Sequence, residues 1–156
     1  MVLLFAFLIG FFAGLRSLTA PAVVSWAAYL EWLRIARPLS LIGSFPSAMI
    51  LSLLAVGELV FDKLPNTPSR TSPPGLIARL LTGGVTGACV SMSGGQGALV
   101  GAGLGATGGL VGAFAGYQAR SRLAKALSTR DLYIALLEDL LAIGGCLWIV
   151  SGFSAH

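Results

Sequence analysis

The sequence predicts an all-α polytopic membrane protein of about six transmembrane helices, and three observations predict it. Of the 156 residues, 56% are hydrophobic and 10% are charged, with a mean hydropathy of +0.87. A water-soluble domain of this length needs more polar surface than that leaves. Glycine, at 21 residues, is about twice as frequent as in globular proteins, which suits helices whose backbones approach closely in lipid. Six apolar segments, each near the roughly 20 residues that cross hydrocarbon as a helix, divide the chain at 2–17, 20–36, 45–62, 75–92, 97–118 and 132–152.

The first segment, "MVLLFAFLIGFFAGL", lacks a basic leading region and runs on into further membrane-like sequence, so it reads as a retained helix and not a signal peptide. "RSLTAP" follows, in which Ser17 or Thr19 is expected to cap the second helix, with Pro21 accommodated in its first turn. Both segments are short, and a re-entrant hairpin is the alternative to two spans, as interrupted segments mark many transporter sites. The third segment leads into "GELVFDKLPNTPSRTSPPGLIAR" (57–79), which carries Glu58, Asp62, Lys63, Arg70, Arg79 and four of the seven prolines. Residues 65–74 of it form a proline-rich loop dividing one integral membrane domain into three-helix halves, 1–64 and 75–156. The fifth segment contains "GLGATG" (103–108), a match to the dinucleotide fingerprint. No strand precedes it, and its glycines continue at four-residue spacing as Gly101, Gly105, Gly109 and as Gly108, Gly112, Gly116, so it reads as a smooth helix-packing face. "QARSRLAKALSTRD" extends that helix beyond the membrane with four basic residues, an orientation signal that would also touch anionic lipid headgroups.

The halves align in order. "AAYLEWLRIAR" (27–37) matches "AGYQARSRLAK" (115–125), pairing Tyr29 with Tyr117 and Arg34 with Arg122. Gly10 and Gly14 match Gly83 and Gly87 as GxxxG pairs, and "AVGEL" (55–59) matches "ALLED" (135–139), bringing Glu58 opposite Glu138. Three spans per half make the second copy inverted, the plan of many secondary transporters. With the N-terminus outside, Arg16, Lys63, Arg70, Arg79, Arg120, Arg122, Lys125 and Arg130 fall on the cytoplasmic side and only Arg34 and Arg37 outside, a positive-inside bias that puts both termini on the outer face. These basic residues lie at segment ends and form no single patch, so nucleic acid is not an expected partner.

Two helix starts combine an arginine, hydroxyls and a proline: Arg16, Ser17, Thr19 with Pro21, and Arg70, Thr71, Ser72 with Pro73. Free N–H groups at a helix start favour an anion, and arginine adds a forked donor for phosphate or carboxylate. The bland reading is capping plus an orientation signal. Glu58 and Asp62 share a helix face, while Glu138 and Asp139 sit inside the sixth segment, where charge tends to meet a partner or a water-filled cavity. Arg16 and Arg79 are the partners within reach. Either the set is a structural ion-pair cluster, or the arginines, Arg79 included, hold an anion while Glu58, Asp62, Glu138 and Asp139 compensate charge or carry protons, with Glu138 the first choice. Cys89 and Cys146, inside apolar segments, and the lone His156 match no metal-ligand spacing, and no catalytic set or cofactor is expected.

"GLRSLTAPAVVSW" followed by "GELVFDKLPNTPSRTSPPGLIAR" resembles the small bacterial membrane proteins grouped as domain of unknown function 4126. The resemblance implies a multi-span protein of the bacterial cytoplasmic membrane and supplies no catalytic residue. The expected function is a small carrier or channel-like protein for an anionic solute or lipid headgroup, its partners being membrane lipids and a second copy in a homodimer. A non-transporting scaffold or accessory subunit is the alternative, and an intramembrane lipid-modifying enzyme is third.

Overall fold

A computed structural model describes residues 1–37, 39–61, 72–127 and 131–154, and among them every extended element is a helix. The order is α1 (Val2–Leu15), α2 (Thr19–Tyr29), a short 3-10 turn (Leu39–Gly43), α3 (Phe45–Phe61), α4 (Pro73–Ser93), α5 (Ala98–Leu127) and α6 (Asp131–Ser154). Among the described residues three stretches are long and apolar enough to cross a membrane: Pro73–Ser93, Ala98–Leu123 and Tyr133–Phe153. The apolar helices α1 and α3 are shorter, at 14 and 17 residues.

The second segment is shorter than its apolar run suggests. An unbroken helix over 20–36 is expected from hydropathy, but α2 stops at Tyr29 and spans only about 16 Å at 1.5 Å per residue. Its end explains this. The Trp32 N–H bonds to the Ala27 carbonyl and the Glu31 N–H to the Ala28 carbonyl, with Glu31 in the left-handed region at φ 61°. This is the bonding pattern that closes a helix through one left-handed residue. The same pattern ends α4, where Gly95 takes φ 72° and the Gln96 N–H reaches the Ser91 carbonyl. Glu31 does with a side chain what Gly95 does without one. At the other end of α4, Pro73 and Pro74 occupy the first helical positions behind Ser72, where a missing N–H costs nothing.

α1, α4 and α5 form the centre, and glycine lets them approach. A methyl group on Gly10 or Gly83 would overlap the Gly105 carbonyl, one on Gly14 the Gly109 carbonyl, one on Gly87 the Gly101 carbonyl, and one on Gly112 the Phe11 carbonyl. A methyl on Gly109 would come 2.7 Å from the Arg79 carbonyl oxygen. Such backbone contact gives the dispersion that must hold helices together when surrounding lipid removes the hydrophobic drive. Ile9, Val24, Val90 and Ile149 join four helices in the enclosed core, with Cys89 and Cys146 buried among them as unpaired thiols.

α3 lies at the edge against α2. Only Ala48 and Ala55 of it are buried, while Met49, Ile50, Leu53, Leu54, Val56, Val60 and Phe61 are exposed. An outward face this apolar suits lipid and not water. Trp26 on α2 stacks edge-on with Phe45 and donates its indole N–H to Ser52 Oγ at 2.9 Å, which fastens α3 to α2.

The two ends of the bundle differ. Met1, Glu31, Trp32, Arg34, Ser93, Gly94, Gly152 and Phe153 surround one depression, so the start of α1 and the C-terminal ends of α2, α4 and α6 gather at what we call the terminal end. Arg16, Glu58, Arg79 and Asp139 gather at the other, through contacts described next.

Candidate functional site

The site is built around a break in the chain. α1 ends at Leu15, Arg16 is extended (φ −138°, ψ 109°), and α2 begins at Thr19. Breaking a helix inside a bundle exposes carbonyls on one side and N–H groups on the other, each of which needs a partner.

Distant side chains supply these partners. Arg79 of α4, 5% exposed, donates its Nε–H to the Gly14 carbonyl at 2.9 Å and an Nη1–H to the Gly75 carbonyl of its own helix at 3.0 Å. The Glu58 carboxylate of α3 accepts from the Ser17 N–H at 2.8 Å, the Ser17 hydroxyl at 2.6 Å and the Leu18 N–H at 2.8 Å. The signs are favourable, with a cation at the C-terminal end of α1 and a carboxylate at the N-terminal start of α2. This corrects the expected cap. Leu18, not Ser17 or Thr19, holds the N-cap position, and it makes no side-chain cap bond. Thr19 is the first helical residue and is buried. Glu58, forty residues further on, does the work that local hydroxyls were expected to do. Ser72, at the start of α4, likewise makes no side-chain cap bond.

Arg16, at the break itself, has no exposed surface. Its Nη2 pairs with Oδ1 of Asp139 on α6. Asp139 and its neighbour Glu138 are 7% and 9% exposed. Two guanidiniums and the carboxylates of Glu58 and Asp139 therefore gather around the break, contributed by the α1–α2 break itself, α3, α4 and α6, with Glu138 next to Asp139 on α6. Bringing charge into so apolar a setting is costly, and it is retained where partners are close and geometry is good. Asp62, Arg70 and Thr71 lie outside the described residues. Among the described residues no group of three or more His, Cys, Asp or Glu side chains is placed to hold a metal ion.

Of the glycines, Gly10, Gly14, Gly83, Gly87, Gly105, Gly109 and Gly112 sit in the central helix contacts. Gly116, on α5 one turn past Gly112, lines a groove instead. That groove, about 360 Å³, runs between α1, α5 and α6 beside Glu138 and Arg120. A smaller apolar groove of about 230 Å³ lies between α2, α3 and α4. Neither is lined by Arg16 or Arg79, and Glu138 alone of the charged set reaches the larger one.

Sequence reasoning could not find the Gly14 carbonyl as the acceptor for Arg79, because a backbone oxygen carries no residue signature. The signal for Glu58 was present, a carboxylate near the end of an apolar helix, but its partners are visible only in three dimensions.

An all-helical bundle with span-length apolar helices, a lipid-suited outer surface and a buried charged node defines a helical membrane protein. The chain belongs to the family described as Domain of unknown function (DUF4126), whose match covers residues 3–151. Nothing matches the chain among the curated proteins or among the solved structures.

Proposed function

We propose that the protein is a small membrane carrier that takes up an anion, as a free solute or as a lipid headgroup, in exchange for the contact between Arg16 and Asp139. The observation that carries the reading is the fully buried Arg16 paired to a carboxylate at a break between two helices. A break of this kind is where transporters place ligand groups. The carboxylates of Glu58, Glu138 and Asp139 at this end oppose a further negative charge. Anion entry is therefore coupled to protonation: a proton passed by Glu138 to its neighbour Asp139 loosens Asp139 from Arg16, and the anion takes the carboxylate's place on the guanidinium. Loss of the proton then restores the internal pair and expels the anion. In this reading the chain sits in a bacterial inner membrane with the charged node towards the cytoplasm and both termini outside, α1 and α2 being shorter than a full span. α1–α3 and α4–α6 are its inverted halves. That arrangement is supported by Gly10 and Gly83, paired by the sequence alignment, lying together where α1 crosses α4.

A scaffold is the second reading, favoured by one observation. Glu58 and Arg79 tie both sides of the break to other helices, as a lock would. Proteoliposomes separate the two. Imposed gradients of phosphate, sulfate and a dicarboxylate are expected to drive proton movement, read by a luminal pH dye, for one of these anions. Arg16→Met alone takes a cation from the buried Asp139 carboxylate and should cost about 3–5 kcal/mol, whereas Arg16→Met with Asp139→Leu should recover most of that stability. The double variant is expected to fold and to lose flux at least tenfold, and Glu138→Gln to lose its pH dependence. Full flux in a folded double variant would take Arg16 and Asp139 out of the pathway, and no flux of any of these anions through the unaltered protein would leave only the lock.

A further inference from the structure

We propose that the groove between α1, α5 and α6 is a binding site for an anionic phospholipid of the surrounding bilayer, one acyl chain lying in the groove and the phosphate resting on Arg120. The site goes beyond the carrier reading, since it requires only that the helices stand in a membrane.

Four observations carry it. First, α6 packs on α1 and α2 more than on α5, which leaves a wedge between two helices that are both long and apolar enough to span. Second, the walls are Phe12 and Leu15 on one side, Gly116 and Ala119 on α5, and Leu137 and Leu141 on α6, enclosing about 360 Å³, within the about 300–1,000 Å³ of ordinary ligand sites. The small residues on α5 give the groove depth. Such a wall offers a polar solute almost nothing to bond with, whereas hydrocarbon gains dispersion contacts at no desolvation cost.

Third, among the described residues the groove carries Arg120 on its rim. Arg120 is half-buried there, and Arg122, exposed, follows two residues on. Basic residues at the mouth of a crevice between membrane helices select anionic headgroups, and a guanidinium grips phosphate through two parallel bonds. Arg120 already engages a partner within the chain, but its five N–H donors are enough for both. Fourth, Glu138 also reaches the wall and is nearly buried. A carboxylate at that point repels phosphate, which sets the headgroup at the Arg120 rim and the carbon chain along the apolar wall.

The test uses the intact protein purified in detergent, with phosphatidylglycerol or phosphatidylcholine of identical chains added at equal mole fraction. Native mass spectrometry is expected to show one retained phosphatidylglycerol at a lipid concentration at least tenfold below that needed for phosphatidylcholine, with a matching rise in melting temperature. Arg120→Gln should abolish the preference, and Ala119→Trp, which fills the groove, should remove the adduct with either lipid. Arg122→Gln should reduce the preference by less than Arg120→Gln. Equal retention of the two lipids by the unaltered protein would overturn the proposal without recourse to any variant. So would an adduct that survives Ala119→Trp, or an Arg122→Gln effect as large as that of Arg120→Gln, which would mark a diffuse surface charge. Because retention is read without flux, a protein that fails to transport leaves this result intact, and the reverse holds.

Discussion

Glu58 shows how one side chain organises a break in the backbone. Three donors converge on its carboxylate, two of them N–H groups at the start of α2, in surroundings that provide little water as a substitute. Glu58→Gln keeps the shape but removes the charge and replaces an acceptor with a donor, setting an N–H against an N–H. Losing charge-assisted bonds of this kind costs about 1–3 kcal/mol. The variant is therefore expected to melt several degrees lower in detergent, and Glu58→Asp, whose carboxylate is one methylene short of its partners, is expected to fall between the two. An unchanged melting temperature in Glu58→Gln would mean that water satisfies the start of α2. Arg16 is a different case. Its charge is fully buried and paired with the Asp139 carboxylate, and a pair held away from water is sensitive to any change of charge on either side.

The glycines act through elements. Gly10, Gly83 and Gly105 meet at one crossing of α1, α4 and α5, where each lacks the Cβ that the next backbone would strike. Gly10→Ala puts a methyl group into a carbonyl that cannot rotate away, so α1 must move off α5. The expected result is loss of the folded peak on size exclusion, or a drop in stability of at least about 3 kcal/mol, the upper range for overpacking a rigid core. Gly144→Ala on α6 is the control, because nothing lies within 4 Å of the added methyl. It is expected to be neutral or slightly stabilising, since alanine favours helix by about 1 kcal/mol over glycine. Comparable damage from both substitutions would show that helix propensity, not the crossing, governs these positions. The glycine spacing was visible in the sequence. Which helices those faces meet was not, because a four-residue ladder looks the same whether it serves a neighbour in the chain or another copy.

For the whole molecule, the arrangement of ends makes a prediction about orientation. Met1 and Phe153 line the same depression, so single cysteines introduced at Val2 and Gly152, in a background with Cys89 and Cys146 replaced by alanine, should react with a membrane-impermeant maleimide from the same side. In the orientation proposed from the distribution of arginine and lysine, that side is outside the cell. Labelling from opposite sides would contradict the bundle itself, while labelling of both from the cytoplasm would invert the orientation and leave the fold standing.

The membrane character of the chain and the places where five of its helices begin and end were legible from the order of residues alone. Hydropathy is a sum over neighbours along the chain, and a proline pair such as Pro73–Pro74 or a glycine such as Gly95 acts on its own backbone. The early stop of α2 escaped this reading because Glu31 adopts a conformation that usually announces itself as glycine. Only the tertiary structure decided what the charged residues do. Arg16 pairs with Asp139 across 123 positions, Arg79 reaches Gly14, and Glu58 reaches Ser17 and Leu18. In lipid an ionisable group must find its partner wherever packing brings one, and that partner is set by how the helices lie together in space and not by their order along the chain.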